Sequence, residues 1–194
     1  GVVVISAGFG ESGPEGIKMQ RELLETARSY GMRLVGPNCM GIYYPKLGLS
    51  FNHALPGESG PVGGFFQSGG GAGEFVRYAA LRGVRFSKVI SYGNASDIDE
   101  VELLNYFTSD DETKVITAYI EGVKDGGKFT EALALAAKKK PVIILKGGRG
   151  RTGAKLALSH TASLAGSLKV WQAVLKQYGA IMVSNFEELI DQAV

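Results

Sequence analysis

The chain has 194 residues, enough for one large domain or two small ones, and 21 Lys and Arg against 19 Asp and Glu leave a formal charge of +2, too small to make a nucleic acid the natural partner. Its single cysteine, Cys39, excludes an internal disulfide. Without a signal peptide or an apolar run of about 18 residues, the expected setting is reducing, soluble and cytoplasmic, with no membrane partner. Glycine fills 28 of the 194 positions, about twice its usual share, while 45% hydrophobic residues still supply a core; functional glycine turns are expected, not disorder or a collagen-like chain.

Each glycine cluster falls where a strand-like run stops and a helix-like run starts, a pattern that predicts an α/β fold. Residues 2–7 form a β-branched run followed by GFGESGPEG, with Pro14 suited to the first turn of a helix that reaches about Tyr30 and Gly31 placed for a left-handed cap. Residues 33–35 read as a short strand, and GPNCMGIYYPKLGLSF as an irregular loop. A unit containing so few strands would not stand alone, so residues 1–59 are expected to be the end of a larger α/β domain plus a linker.

A second unit, residues 60–194, opens after LPGESGPVG. Residues 64–67 are a predicted strand, SGGGAG a turn, and 74–82 a helix closed by Gly83. Strand 87–92 leads through GNASD to helix 99–108, whose start is marked by Ser96 with Asp99 three residues on. Strand 114–120, a helix near 128–139, strand PVIIL from Pro141, a long loop over 146–161, a helix from about 164 to 177, strand 180–183 and helix 186–194 complete the chain. The near-continuous apolar run of PVIIL suggests a strand covered on both faces. Strands alternating with helices imply a doubly wound parallel sheet, and a flavodoxin-like topology is the expectation.

Ligands of open parallel sheets bind beyond the carboxyl ends of the strands, which directs attention to Ser68-Gly69-Gly70-Gly71, Gly93-Asn94, Glu121-Gly122 and Lys146-Gly147-Gly148-Arg149. Backbone amides at Ser68, Gly69 and Gly70 could cradle phosphate at a helix N-terminus, but SGGG lacks a full nucleotide fingerprint and a tight packing turn explains it equally well. Glu121 ends a buried-looking strand and calls for a partner there, or else marks a solvated strand end. The loop around His160 gathers Lys146, Arg149, Arg151 and Lys155. An imidazole can accept a phosphoryl group if one ring nitrogen is free and a carboxylate such as Glu121 holds the other; an incidental surface histidine is the alternative. His53, with no charges clustered near it in sequence, reads as structural.

Four motifs occur in order: GPNCMGI at 36–42, FQSGG at 66–70, YIEGV at 119–123 and SHTASLAG at 159–166. Together they resemble the NDP-forming acyl-CoA synthetases, similar to ADP-forming acetate–CoA ligases and, more distantly, to the succinate–CoA ligase α subunit. The resemblance implies that residues 1–59 are the C-terminal part of a Rossmann-like CoA-binding domain and that 60–194 are the adjoining flavodoxin-like ligase domain. It implies His160 as the phosphorylated histidine, Glu121 as the carboxylate that orients it, Ser68, Gly69 and Gly70 as the phosphate site, and Asn38 and Cys39 near the junction of acyl group, thioester and phosphate. The implied reaction interconverts acyl-CoA, ADP and phosphate with acid, CoA and ATP. CoA and ADP or ATP with Mg are substrates of the complete enzyme, with no metal site or cofactor expected on this chain. Lacking the glycine-rich CoA turn and an ATP-grasp domain, the chain is expected to work with an ATP-grasp domain or subunit, as an oligomer. Two other classes stand beside this one: a non-catalytic ligand-sensing module fused to a protein lysine acetyltransferase, and an FMN-binding flavodoxin, disfavoured because the first glycine loop carries a single hydroxyl.

Overall fold

The structure, a computed structural model, describes residues 1–148 and 167–194. A short parallel pair, β1 (Val2–Val3) and β2 (Leu34–Val35), flanks the helix α1 (Pro14–Ser29). Pro14 occupies the first helical turn, and Gly31 takes the left-handed conformation just past the end, at φ 62°.

The main sheet has six strands in the order β3-β5-β4-β6-β7-β8: β3 (Gly41–Tyr43), β4 (Ser59–Phe66), β5 (Phe86–Ser91), β6 (Val115–Ile120), β7 (Val142–Lys146) and β8 (Ile181–Val183). The last five are mutually parallel, and β3 runs antiparallel along β5. Numbered among themselves, the parallel strands stand in the order 2-1-3-4-5, the flavodoxin-like arrangement, so the winding direction reverses between β4 and β6.

The two-residue alternation along each strand divides the core. Phe65, Ile116, Ala118, Ile120, Val142 and Ile144 face α3 (Glu100–Ser109), α4 (Gly126–Lys139) and α5 (Leu168–Tyr178). Val62, Phe66, Ile143 and Leu145 face α2 (Gly69–Leu81) and α6 (Phe186–Asp191). All five residues of β7 are buried, as its continuous apolar run anticipates.

Four sequence expectations are revised. The 41–43 stretch is an edge strand because it pairs with Ser91, Ile90 and Val89, although its composition reads as loop; the sheet therefore takes one strand from before residue 59. The SGGGAG segment is the start of α2, since the Ser68 hydroxyl caps it. The cap of α3 is Asp99, whose carboxylate accepts from Val101 and Glu102 N–H, while the Ser96 hydroxyl donates to the Gly36 carbonyl. Lys146, counted with a basic loop, is the last residue of β7 and is 2% exposed.

The end of the sheet opposite the carboxyl ends is held by a buried cation. The Lys88 ammonium lies 2.9 Å from Asp110 and 2.6 Å from Glu112, which also accepts from Lys46 and the Tyr44 hydroxyl. The amino half of β5, the chain after β3 and the loop before β6 are thus tied together.

Candidate functional site at the β4/β6 crossover

Parallel pairing puts the ends of β4, β5, β6 and β7 on one edge, and the reversal between β4 and β6 opens a cleft of about 340 Å³ there. Its lining includes Asn38, Cys39, Ser68, Gly69, Gly70 and Glu121, six of the seven site residues that the resemblance implies. The seventh, His160, lies outside the described residues, as do Arg149, Arg151 and Lys155. His53 is exposed in the loop before β4 and does not line the cleft.

One wall is the N-terminus of α2. Ser68 has extended backbone, and its hydroxyl accepts from the Gly71 N–H at 3.1 Å while its carbonyl takes the Ala72 N–H at 3.0 Å. Helix geometry leaves the Gly69 and Gly70 amides without intrahelical acceptors, facing the cleft with the positive end of the helix dipole behind them. A Cβ on Gly69 would come within 2.6 Å of Met40 Cγ and 3.2 Å of Met40 N, whereas one on Gly70 would meet nothing within 4 Å. The first glycine permits close approach of the 39–40 backbone, and the second leaves the cleft open.

The opposite wall is the end of β6. The Gln67 N–H donates to the Tyr119 carbonyl at 3.0 Å, and its side-chain Oε1 accepts from the Glu121 and Gly122 N–H groups at 2.7 and 3.3 Å. Glu121 is two residues beyond Tyr119, so both emerge on the α2 face of the sheet. Burial, then the charge and hydrogen bonding of the neighbouring Glu121 carboxylate, pushes the Tyr119 phenol up to about 12. The chain leaving β7 passes close by: a Cβ on Gly147 would lie 2.6 Å from Tyr119 Oη and 3.0 Å from Glu121 Cγ. The Lys146 ammonium donates to the Glu121 carbonyl at 2.7 Å and to the Gly147 carbonyl, so this buried charge braces the strand ends.

The third side comes from the first unit. Asn38, at φ 58°, donates its backbone N–H to the Ser6 carbonyl at 2.9 Å and donates through Nδ2 to Asn94 Oδ1 at 3.2 Å. Asn94 Nδ2 in turn donates to Glu11 and Gln20, and Glu11 accepts from the Gly8 and Phe9 N–H groups. Gly93 is a required glycine: at φ 55°, its Cβ would sit 2.1 Å from the Pro37 carbonyl oxygen. Cys39 is 4% exposed, its Sγ 3.4 Å from the Val4 carbonyl, and burial pushes the thiol up to about 11, so it contributes shape and not a thiolate.

Sequence reasoning missed Gln67, read only as a strand end, and also Ile5, Met40 and the Asn94–Glu11–Gln20 linkage. The FQSGG motif was the available signal for the first; the others depend on which loops meet. A larger groove of about 660 Å³ between α2 and α6 is lined by Tyr78, Leu81, Phe186 and Ile190, off the strand ends that carry the polar groups. Among the described residues, no three His, Cys, Asp or Glu side chains converge as metal ligands, and no helix is long and apolar enough to cross a membrane.

The comparisons with known proteins agree with this fold. The chain is 45% identical over 196 residues to acetate–CoA ligase [ADP-forming] I of Archaeoglobus fulgidus, covering 100% of this chain and 28% of that protein. It is 42% identical over 193 residues to acetate–CoA ligase [ADP-forming] II subunit alpha of Pyrococcus furiosus, again across 100% of this chain and 42% of that subunit. Among solved structures, the dinucleotide forming acetyl-coenzyme A synthetase 1 of Ca. Korarchaeum cryptofilum in complex with phosphate and ADP superposes with a TM-score of 0.88 at 36% identity, covering 98% of this chain and 41% of that one. The chain thus spans well under half the length of these relatives. The profile of the succinyl-CoA ligase like flavodoxin domain matches residues 59–194, which begin where β4 begins, and the chain belongs to that family.

Proposed function

We propose that this chain is the phosphoryl-relay part of an NDP-forming acyl-CoA synthetase, interconverting acyl-CoA, ADP and phosphate with acid, CoA and ATP. One observation carries the reading: the β4/β6 crossover cleft brings the exposed amides of α2 and the carboxylate-bearing end of β6 together. Residues 1–59 then serve as the C-terminal part of a CoA-binding domain, with Asn38 and Cys39 on the side where thioester and phosphate meet. CoA, an acyl phosphate, and ADP or ATP with Mg are the substrates, and the nucleotide is handled by an ATP-grasp domain or subunit in a cytoplasmic oligomer.

A phosphate oxygen attacks the thioester carbonyl, the C–S bond breaks, and CoA leaves as thiolate. The resulting acyl phosphate passes its phosphoryl group to a ring nitrogen of His160, releasing the carboxylate. ADP then takes the group from the histidine. The Gly69 and Gly70 amides stabilise the phosphoryl oxygens at each stage. Glu121 accepts the other ring N–H, which fixes the tautomer and offsets the charge of the imidazolium as it forms.

The test is to incubate the complete enzyme with ATP labelled in its terminal phosphate and to measure acid-labile, base-stable label on protein. His160→Ala should abolish it, and Glu121→Gln should keep the fold while losing most of the label. Persistent label in His160→Ala, or an unchanged labelling rate in Glu121→Gln, refutes the assigned roles.

A further inference from the structure

Gln67 is 5% exposed, lines the crossover cleft and joins its two walls. Its side-chain oxygen is identified by chemistry: two backbone donors, Glu121 N–H at 2.7 Å and Gly122 N–H at 3.3 Å, converge on one atom, which must be the acceptor. The amide nitrogen therefore occupies the other end of the group, and it hydrogen-bonds none of the described residues. An amide NH2 at the cleft with no acceptor among the described residues is available to what binds there, so the position is intelligible if an acceptor arrives with the ligand. The surrounding groups define that acceptor. The Gly69 and Gly70 amides follow Gln67 in sequence and line the same cleft, so the three sets of donors favour an anionic oxygen.

We infer that Gln67 has two tasks in one side chain: its oxygen positions the backbone that carries Glu121, and its NH2 donates to an oxygen of the phosphate or phosphoryl group held in the cleft. The inference rests on the phosphoryl-transfer reading above and assigns that site a donor lying outside the helix N-terminus. Through the oxygen, Gln67 is a positioning residue; through the nitrogen it touches substrate.

Substitution separates the two tasks. Gln67→Glu retains an oxygen able to accept from Glu121 N–H and Gly122 N–H, but it replaces the donor with a negative charge facing the anion. Gln67→Met keeps the approximate shape and removes both functions. The full-length enzyme and both variants would be titrated with inorganic phosphate in a calorimeter, with thermal unfolding recorded alongside. KM for phosphate, KM for CoA and kcat would be measured on the same preparations. Gln67→Glu should unfold within a few degrees of wild type, weaken phosphate binding at least tenfold and raise KM for phosphate correspondingly, with KM for CoA within twofold of wild type. Gln67→Met should weaken phosphate binding by less than Gln67→Glu and lower kcat by more than its effect on phosphate binding, because Glu121 loses its anchor. Equal phosphate affinity in wild type and Gln67→Glu, or equal increases in the KM values for phosphate and CoA, overturns the inference. Absence of phosphohistidine in the wild-type enzyme, with phosphate binding still dependent on Gln67, would instead sink the relay reading and leave the donor assignment standing.

Discussion

Two adjacent glycines at the start of α2 offer a sensitive test of the site, because replacing each with alanine is chemically identical and the surroundings differ. At Gly69 the new methyl carbon would lie 2.6 Å from Met40 Cγ, 3.2 Å from Met40 N and 3.5 Å from the Cys39 carbonyl carbon. Comfortable carbon contacts are about 3.5–4.0 Å. The Met40 side chain can turn aside, but its backbone nitrogen donates to the Ser91 hydroxyl at 3.1 Å and the preceding Cys39 is buried, so the backbone has little room to withdraw. Overpacking of this kind destabilises by about 1–3 kcal/mol, and improved helix propensity recovers up to about 1 kcal/mol, less in a first turn. Gly69→Ala should therefore lose about 1–2 kcal/mol. At Gly70 nothing lies within 4 Å, so Gly70→Ala should be neutral or gain a few tenths of a kcal/mol while its methyl intrudes on the cleft. Urea unfolding followed by circular dichroism reads the contrast: with a slope of about 2–3 kcal/mol/M, the two midpoints should differ by about 0.5–1 M. Phosphate binding should weaken in both variants, in Gly69→Ala because the helix end shifts and in Gly70→Ala because the amide is shielded. A Gly69→Ala protein as stable as Gly70→Ala would show that the 39–40 backbone is not packed against α2 and would refute the argument.

The Tyr92 side chain is fully buried, and its hydroxyl has no hydrogen-bond partner among the described residues, so Tyr92→Phe should stabilise by about 1 kcal/mol and raise Tm by about 2–4 °C; a lower Tm in calorimetry would refute it. The hydrogen bonds from Lys46, Lys88 and Tyr44 hold the Glu112 carboxyl at about 2, against an ordinary 4.5. A carboxyl lowered by folding stabilises above its unfolded pKa and ceases to do so as pH falls through its folded one, so the urea midpoint should decline between pH 4.5 and 2, and less steeply in Glu112→Gln. Identical slopes would exclude that role. Because burial pushes Cys39 up to about 11, a disulfide reagent at pH 8 should leave the native thiol intact and titrate one thiol after unfolding in guanidinium; rapid reaction of the native protein would contradict its buried placement.

Much of this protein is local information. Pro14 and Gly31 bracket α1, the apolar run after Pro141 marks a strand covered on both faces, and the polar residues that follow the strands name the site edge before any pairing is known. These features are legible because caps, turn residues and hydrophobic period act within a few positions. The same logic misplaced the start of α2, since three glycines read as a turn when neither the Ser68 cap nor the approach of Met40 is in view. Strand order belongs to the tertiary structure alone: Gln67 and Glu121 are 54 positions apart and meet because β6 pairs with β4, while β5 takes the other side. Nonlocal pairing also turned 41–43 into an edge strand and buried the Lys146 ammonium against backbone carbonyls. Side-chain chemistry is written residue by residue, but the choice of neighbours rests on which faces can be buried together, and that is settled only when the whole sheet closes over its two cores.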